Sequence, residues 1–226
     1  MTKRIGIILS ALTVFLFLFY TIWALLNIFQ ASITGFATTA DVPTYLVILN
    51  VTSAQCNFTM EQGWNLVSIP CLPQNEPVDN VTTTINTSVL SIHSYTPGSA
   101  DPWNAYNPSL PWWVVNDLVE FDRKKGYWIN LNESAFFYLD RGTASPNVIG
   151  LSAGWNLVGY PTMTIRNIND SLANIYPNYL IVYRYNTSAD SWFEYNISAG
   201  GNLYNLSPYQ GYWVQMNISD TWIIDW

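Results

Sequence analysis

The sequence predicts a mainly β protein: an N-terminal transmembrane helix, then two homologous antiparallel β modules, sandwich- or barrel-like, with one short helix per module at most. Three observations predict this class. An uncharged apolar segment lies near the N-terminus, two sequence phrases occur twice in the same order, and aromatic residues alternate between turn signals. The predicted domains are an anchor at 1–30, a stalk and first strand at 31–59, and β modules at 60–150 and 151–226.

The predicted anchor is the 25-residue uncharged run from Ile5 to Phe29. As a helix it would be about 37 Å long, enough to span a hydrocarbon core of about 30 Å with some tilt. Lys3 and Arg4 precede it, and the next basic residue is Arg123. This asymmetry predicts a single-pass protein of the cell membrane, with a cytoplasmic N-terminus and an extracellular C-terminal region.

Two alternatives for this segment stay open. The small residues at 31–40 would suit a cleaved signal peptide, although the apolar run is longer than such peptides usually have. The run Lys3-Arg4-Ile5-Gly6 followed by a long apolar helix resembles the class III signal sequences of archaeal pilins. That resemblance implies cleavage after Gly6 and a helix packed into a filament core.

Charge and glycosylation signals also indicate an extracellular location. All 15 acidic residues and six of the eight basic residues follow residue 40, so this part carries a net charge of −9, which argues against a nucleic-acid partner. Ten of the 23 asparagines begin an Asn-x-Ser/Thr sequence and are predicted glycan acceptors. They are Asn50, Asn57, Asn80, Asn86, Asn132, Asn169, Asn186, Asn196, Asn205 and Asn217.

The chain has two cysteines, Cys56 and Cys71, and both follow the predicted anchor. Outside the cell, two such cysteines are expected to form a disulfide. In the chain-entropy model, closing a loop of about 15 residues contributes roughly 3 kcal/mol.

The internal repeat consists of three blocks that recur in the same order at offsets of 91, 89 and 85 residues. Residues 63–67 (GWNLV) recur at 154–158, residues 99–107 at 188–196, and residues 126–128 (GYW) at 211–213. Units of this length exceed those of solenoid repeats, so we interpret them as two homologous modules.

Within a module, the first block is a predicted strand, and the third begins another that is followed by a closing strand. In the second copy, 179–185 and 191–197 flank a turn at 186–190, which predicts a hairpin. Apolar residues at helical spacing over 166–175, ended by Pro177, predict a short helix.

The first and third blocks begin with a glycine in both copies (Gly63, Gly154, Gly126 and Gly211), which can adopt a positive φ or let another segment approach closely. We expect the tryptophans that follow to form the core, because burying one aromatic side chain removes roughly 150–250 Å² from water. The predicted core residues are Trp64, Trp128, Trp155 and Trp213.

The Gly-Trp-Asn-Leu phrase with its nearby proline, the aromatic hairpin and the Gly-Tyr-Trp phrase resemble a tandem module of archaeal and bacterial cell-surface, S-layer-associated proteins. The resemblance covers about residues 60–226. It implies an extracellular module without an assigned activity.

The sequence predicts no catalytic site, metal site or cofactor. His93 is the only histidine. Among the candidate acids, Asp101 recurs as Asp190 in a hairpin turn and Asp140 recurs as Asp225 at a strand end, and repetition in both copies favours a structural role. Side chains with oxygen atoms occur at every second position in Asn186, Ser188 and Asp190, as in the start of a calcium-binding loop, but the remaining ligands of such a loop are missing. The candidate acids are Asp101, Asp117, Glu120, Asp122, Asp140, Asp190, Glu194 and Asp225.

A sugar-binding patch is the one candidate binding site, at Trp103, Trp112 and Trp113; alternatively, Trp112 and Trp113 cover the flank of the module. The leading prediction is a membrane-anchored, glycosylated structural or adhesion protein of the cell envelope. A pilin-like filament subunit and an anchored carbohydrate-binding module are the alternatives. The expected partners are membrane lipid, other envelope proteins or glycans, and other copies of the chain.

Overall fold

A computed structural model of the chain describes residues 50–111 and 113–226, with side chains from Ser53 onward. The predicted transmembrane segment and most of the stalk lie outside the described residues. In the part of the chain that is described, no helix has the length and apolar character needed to cross a bilayer. The described chain is mainly β, and its paired strands are antiparallel, which confirms the fold class at that level.

The first half contains a four-stranded sheet in the order β3-β8-β5-β6, with the pairs β2-β9, β4-β7 and β1-β10 beside it. A helical turn, Val78–Val81, follows β4. The strands are β1 (Asn50–Thr52), β2 (Gln55–Met60), β3 (Gly63–Val67), β4 (Glu76–Pro77), β5 (Val89–Tyr95), β6 (Trp103–Tyr106), β7 (Glu120–Phe121), β8 (Tyr127–Leu131), β9 (Ala135–Asp140) and β10 (Thr143–Ser145).

The second half contains a five-stranded sheet in the order β12-β18-β14-β15-β16, with the pairs β11-β19 and β13-β17. Its helical segments are Ile168–Ser171, Ala173–Ile175 and Thr187–Ala189, the last two being 3₁₀ turns. The strands are β11 (Asn147–Leu151), β12 (Gly154–Gly159), β13 (Arg166–Asn167), β14 (Tyr179–Asn186), β15 (Ser191–Asn196), β16 (Gly200–Gly201), β17 (Asn205–Leu206), β18 (Gly211–Met216) and β19 (Asp220–Ile224).

The two halves use the same strand order, because β12-β18-β14-β15 occupies the places of β3-β8-β5-β6. Even an irregularity recurs: the register of β5 on β8 shifts between Val89 and Ser91, and that of β14 on β18 shifts between Tyr179 and Ile181. The hairpin predicted around 186–190 is present as β14 and β15. The helix predicted at 166–175 is only partly present: Arg166–Asn167 forms β13, and the remainder divides into the helical turn Ile168–Ser171 and the 3₁₀ turn Ala173–Ile175.

Each half has its own buried core, built from one face of its sheet and from the strand pair beside it. In β8, Tyr127, Ile129 and Leu131 are buried, as strand alternation requires of an apolar i, i+2, i+4 set. The predicted disulfide between Cys56 and Cys71 is confirmed, and both of its cysteines are fully buried in the first core.

The predicted tryptophan core is wrong. Trp64 and Trp155 are 42% and 38% exposed, and Trp128 and Trp213 are only partly buried. Neighbouring residues of a strand point to opposite faces, so the tryptophan of each Gly-Tyr-Trp block lies on the outer face when its tyrosine lies inside.

Tyrosines occupy the core positions instead. Tyr127 and Tyr212 are fully buried, and their hydroxyls accept hydrogen bonds from the backbone N–H of Asp122 at 2.7 Å and of Ser207 at 2.8 Å. Burial raises the pKa of both tyrosines. Each hydroxyl thus satisfies a backbone donor in a place that water does not reach.

The asparagine of each Gly-Trp-Asn-Leu block holds the turn that precedes its strand. Buried Asn65 donates to the carbonyl oxygens of Glu61 at 2.8 Å and Gly63 at 3.0 Å, and its Oδ1 accepts from the Glu61 N–H at 3.0 Å. Gly63 has a φ of +89°, a conformation that glycine adopts without strain. Asn156 repeats this arrangement in the second half.

The halves contact each other through equivalent positions. The N–H of Ser68 donates to the carbonyl oxygen of Tyr209 at 2.9 Å, and the N–H of Gly159 donates to that of Lys124 at 2.8 Å. Ser68 and Gly159 occupy equivalent places in the repeat, as do Lys124 and Tyr209. The contact therefore has the exchange symmetry of an isologous dimer interface, although both surfaces belong to one chain.

Candidate functional site: a shared aromatic face

The outer faces of the two main sheets carry a set of ring side chains that we call the aromatic face. Four of its tryptophans, at 64, 103, 155 and 192, are among the exposed large hydrophobic residues of the described chain. Exposed apolar clusters of this kind mark binding surfaces more often than single exposed residues do. The aromatic face comprises Trp64, His93, Tyr95, Trp103, Trp128, Trp155, Tyr183, Tyr185, Trp192 and Trp213.

These rings line two open clefts, the first of about 430 Å³ and the second of about 540 Å³. Trp64, His93, Trp103, Trp128 and Tyr185 line the first cleft. Trp155, Tyr183, Trp192, Trp213 and Tyr95 line the second. Each residue in the first set is the repeat equivalent of the residue at the same place in the second set, from Trp64 with Trp155 to Tyr185 with Tyr95.

Each cleft takes four of these rings from one half of the chain and a tyrosine from the other. Tyr185, on β14, lines the first cleft, with its ring centroid 5.2 Å from that of Trp128. Tyr95, on β5, lines the second, 5.2 Å from Trp213. Neither cleft is therefore completed by residues of its own half.

The rings hold one another in tilted and edge-to-face contacts, which are favourable arrangements for aromatic pairs. The contacts recur in equivalent pairs. The centroid distances are 6.2 Å for Trp64–Trp128 and 6.1 Å for Trp155–Trp213, 5.3 Å for Tyr95–Trp103 and 5.1 Å for Tyr185–Trp192, and 5.8 Å for Trp128–Trp192 and 6.0 Å for Trp103–Trp213.

The hairpin turn of the second half supports the first cleft from the side. Thr187 Oγ1 donates a hydrogen bond to the carbonyl oxygen of Trp64 at 3.0 Å. The hydroxyl of Tyr185 donates to Asp190 Oδ1, and this bond raises the pKa of Tyr185. Asp190 itself adopts a left-handed conformation with a φ of 43° at the end of the turn. Asp190, named as a candidate acid, thus orients a ring of the cleft.

Amide groups lie beside the rings on the same faces. Asn130 is the cross-strand partner of Trp64, and Gln215 is that of Trp155. Side chains paired across two strands in this way stand about 4.5–5.5 Å apart at Cβ. Trp64 and Trp155 are therefore each next to an amide group that can both donate and accept hydrogen bonds.

The two clefts differ at one ring position, where the first has His93 and the second has Tyr183. His93 Nε2 lies 3.1 Å from Ser91 Oγ, and the His93 ring is 5.6 Å from that of Trp64. Burial lowers the pKa of His93, while the charge of Asp117 opposes this shift. At neutral pH the uncharged imidazole is therefore the favoured form of His93.

The sugar-binding patch predicted from the sequence is divided. Trp103 belongs to the aromatic face, whereas Trp113 is 68% exposed and is not among the residues that line the clefts. Trp112 lies outside the described residues. The other rings were missed, although alternation in β8 and β18 was a usable signal: Trp128 and Trp213 share their faces with the polar residues Asn130 and Gln215.

The predicted glycan acceptors lie at the surface wherever their side chains are described. Seven of them are exposed, and Asn186 and Asn196 are partly buried; the side chain of Asn50 is outside the description. The fully enclosed Asn65, Asn147 and Asn156 are not sequons. Among the described residues, the candidate acids and His93 form no group of three or more that could hold a metal ion.

Comparison of the chain with protein-family models, with curated proteins and with solved structures gives no match.

Proposed function

We propose that this chain is a membrane-anchored, glycosylated protein of the cell envelope that adheres to uncharged glycans through its aromatic face. The carrying observation is the pair of equivalent clefts lined by ring side chains, with exposed tryptophans at positions 64, 103, 155 and 192. The two homologous β modules would form the extracellular body that presents this face. Their resemblance to modules of S-layer-associated proteins supports the same location.

A sugar ring has an apolar C–H face and a polar rim, and the aromatic face offers a complement to both. Indole and phenol rings give flat apolar contact area at a low cost in conformational entropy. Asn130 and Gln215 lie beside Trp64 and Trp155, where they can bond hydroxyl groups at the rim of a stacked sugar.

The charges around the clefts favour a neutral ligand. Among the described residues, those lining the two clefts include no lysine or arginine. The chain after residue 40 carries a net charge of −9, which would repel nucleic acids and acidic polysaccharides. A neutral glycan avoids this repulsion and keeps the stacking contacts.

The binding test uses the full chain, purified in detergent, on an array of neutral and acidic glycans. We expect binding to neutral glycans, and a loss of affinity of about tenfold or more when Trp64→Ala and Trp155→Ala are combined. Tyr204→Ala is the matched control, because Tyr204 is another aromatic residue, 68% exposed, that does not line the clefts. Absence of binding to every neutral glycan would overturn the proposed function.

The membrane anchor and the glycans have separate tests. Mass spectrometry of the native protein should find the segment 5–29 retained and hexose-containing masses on several of the ten sequons. A mature chain beginning at Ile7 would instead support a pilin-like filament subunit. A chain without added sugar would remove glycosylation from the proposal without affecting the binding test.

A further inference from the structure

We propose that the two clefts form one extended site that binds a single neutral glycan chain. Each cleft depends on a tyrosine that comes from the opposite half of the protein. This inference rests on the proposed function and adds the form of the ligand, a linear chain long enough to cross both clefts.

The first step is continuity between the clefts. Trp103 of the first cleft is 6.0 Å from Trp213 of the second, and Trp128 of the first is 5.8 Å from Trp192 of the second, between ring centroids. Rings at these distances are in contact. A chain that leaves one cleft therefore reaches the rings of the other without crossing an intervening segment.

The second step is the exchange of tyrosines. Tyr185 contacts both Trp128 of the first half and Trp192 of its own half, at 5.2 and 5.1 Å. Tyr95 contacts Trp213 and Trp103 in the equivalent way, at 5.2 and 5.3 Å. Each tyrosine thus stands at the junction between the clefts, and its loss would impair the cleft built mainly by the opposite half.

The third step concerns direction. The exchange symmetry of the halves means that a linear chain passes the two clefts in opposite senses. Stacking on a ring face tolerates both senses, and the rings are equivalent except for His93 and Tyr183. The cross-strand positions beside the rings differ more: the counterparts of Ser91 and Ala105 in the second half are Ile181 and Glu194, so each position is polar in only one half. We therefore assign affinity to the rings and chain direction to these two positions.

The experiment is isothermal titration calorimetry of the full chain with length series of cello-, manno- and chito-oligosaccharides. Short members of the series that binds should occupy two sites per chain. Long members should occupy one site per chain and bind at least about tenfold more tightly, because the second cleft is then filled within the same complex.

Tyrosine variants separate the two clefts. Tyr185→Ala and Tyr95→Ala should each weaken the short-ligand site of the opposite half by about fivefold and the site of their own half less, whereas Tyr185→Phe should keep both. If Tyr185→Ala melts below the assay temperature, Tyr185→Leu replaces it, since leucine keeps apolar bulk at this half-buried position.

The outcomes distinguish this inference from the proposed function. One short-ligand site per wild-type chain, or no gain in affinity with length, would overturn the extended site and leave glycan binding intact. Loss of the cleft in the tyrosine's own half, rather than in the opposite half, would overturn the exchange; Trp64→Ala and Trp155→Ala serve as markers of each cleft. No binding in all three series would defeat both proposals.

Discussion

Gly126 lies so close to Val158 of the other half that a Cβ atom on this glycine would be 2.8 Å from the Val158 carbonyl oxygen. Gly211 has the same relationship with Val67, at 2.9 Å. Real Cβ atoms do not approach backbone oxygens this closely, so the glycine of each Gly-Tyr-Trp block is required by the contact between the halves. The backbone bonds from Ser68 and Gly159 run alongside this contact.

Replacing either interface glycine should destabilise the protein. Gly126→Ala and Gly211→Ala are each expected to lower the free energy of unfolding by about 1–3 kcal/mol, because the added methyl group forces two backbones apart. Urea unfolding measures this. Gly150→Ala is the matched control, since a Cβ there meets nothing within 4 Å, and it should change stability by less than about 0.5 kcal/mol. Equal effects at all three glycines would contradict the close-contact explanation.

The buried hydroxyl of Tyr212 should matter although it is a single atom. Tyr212→Phe leaves the Ser207 N–H without its partner and is expected to cost about 1–3 kcal/mol of unfolding free energy. Tyr204→Phe removes an exposed hydroxyl and should cost less than about 0.5 kcal/mol. Thermal unfolding of the two variants gives the comparison, and a neutral Tyr212→Phe would show that water replaces the lost bond.

Stability should fall in alkaline solution. Burial raises the pKa of Tyr127 and Tyr212, and the pKa of Tyr106, desolvated and bonded to Asp79, is raised to about 12. Above the ordinary tyrosine pKa of 10.0 the unfolded chain releases protons that the folded chain retains. The stability that these tyrosines contribute is therefore fully present below pH 10 and declines as the pH rises above it. The tyrosinate absorbance of the buried residues should rise only together with the loss of near-ultraviolet circular dichroism, after the exposed tyrosines have ionised. Ionisation of every tyrosine in a chain that stays folded would contradict this.

Acid should affect the first cleft through His93. Its folded pKa lies below 6.5 because burial disfavours the charged imidazole, so the unfolded chain takes up the proton first. The stability that His93 contributes is present above pH 6.5 and is lost as the pH falls through the folded pKa. His93→Tyr, which copies the second cleft, should flatten the decline in stability that begins as the pH falls below 6.5. Identical profiles for variant and wild type would rule out this role.

The halves should not fold well apart. A chain ending at residue 150 lacks the partners of the interface around Val67 and Gly126 and leaves Leu66 and Tyr95 without their neighbours from the second half. We expect a broad, weakly cooperative thermal transition and dye binding to exposed apolar surface, compared with the full chain. Sharp, cooperative melting of the shortened chain would show that each half is stable by itself.

Local alternation and turn residues predicted the strands at the first and third repeat blocks and the hairpin at 186–190, and the pair of cysteines predicted the disulfide. The predicted tryptophan core is wrong because strand alternation, not residue size, decides which face a side chain occupies. In β8 the apolar set is Tyr127, Ile129 and Leu131, and Trp128 falls on the opposite face with Asn130. The alternation of inward and outward side chains along β8 is therefore enough to place Trp128 on the outer face of the sheet.

The completion of each cleft by the other half could not be predicted in this way. Tyr185 meets Trp128 only because β3 and β12 bring the two sheets together, and no local pattern specifies that contact. The asparagine of the Gly-Trp-Asn-Leu block was missed for a related reason. This asparagine stabilises the turn by bonding the carbonyl oxygens of Glu61 and Gly63, and those bonds depend on a backbone geometry that the residue type alone does not predict.

The fusion of both halves into one polypeptide has an evolutionary consequence. In a dimer of identical subunits, every mutation appears at both copies of a site at once, so the two sites stay the same. Here each copy has its own codons. The first copy has His93 where the second has Tyr183, a difference that the two sites of such a dimer could not have. Joining the two copies in one chain therefore allows each cleft to change one residue at a time, independently of the other.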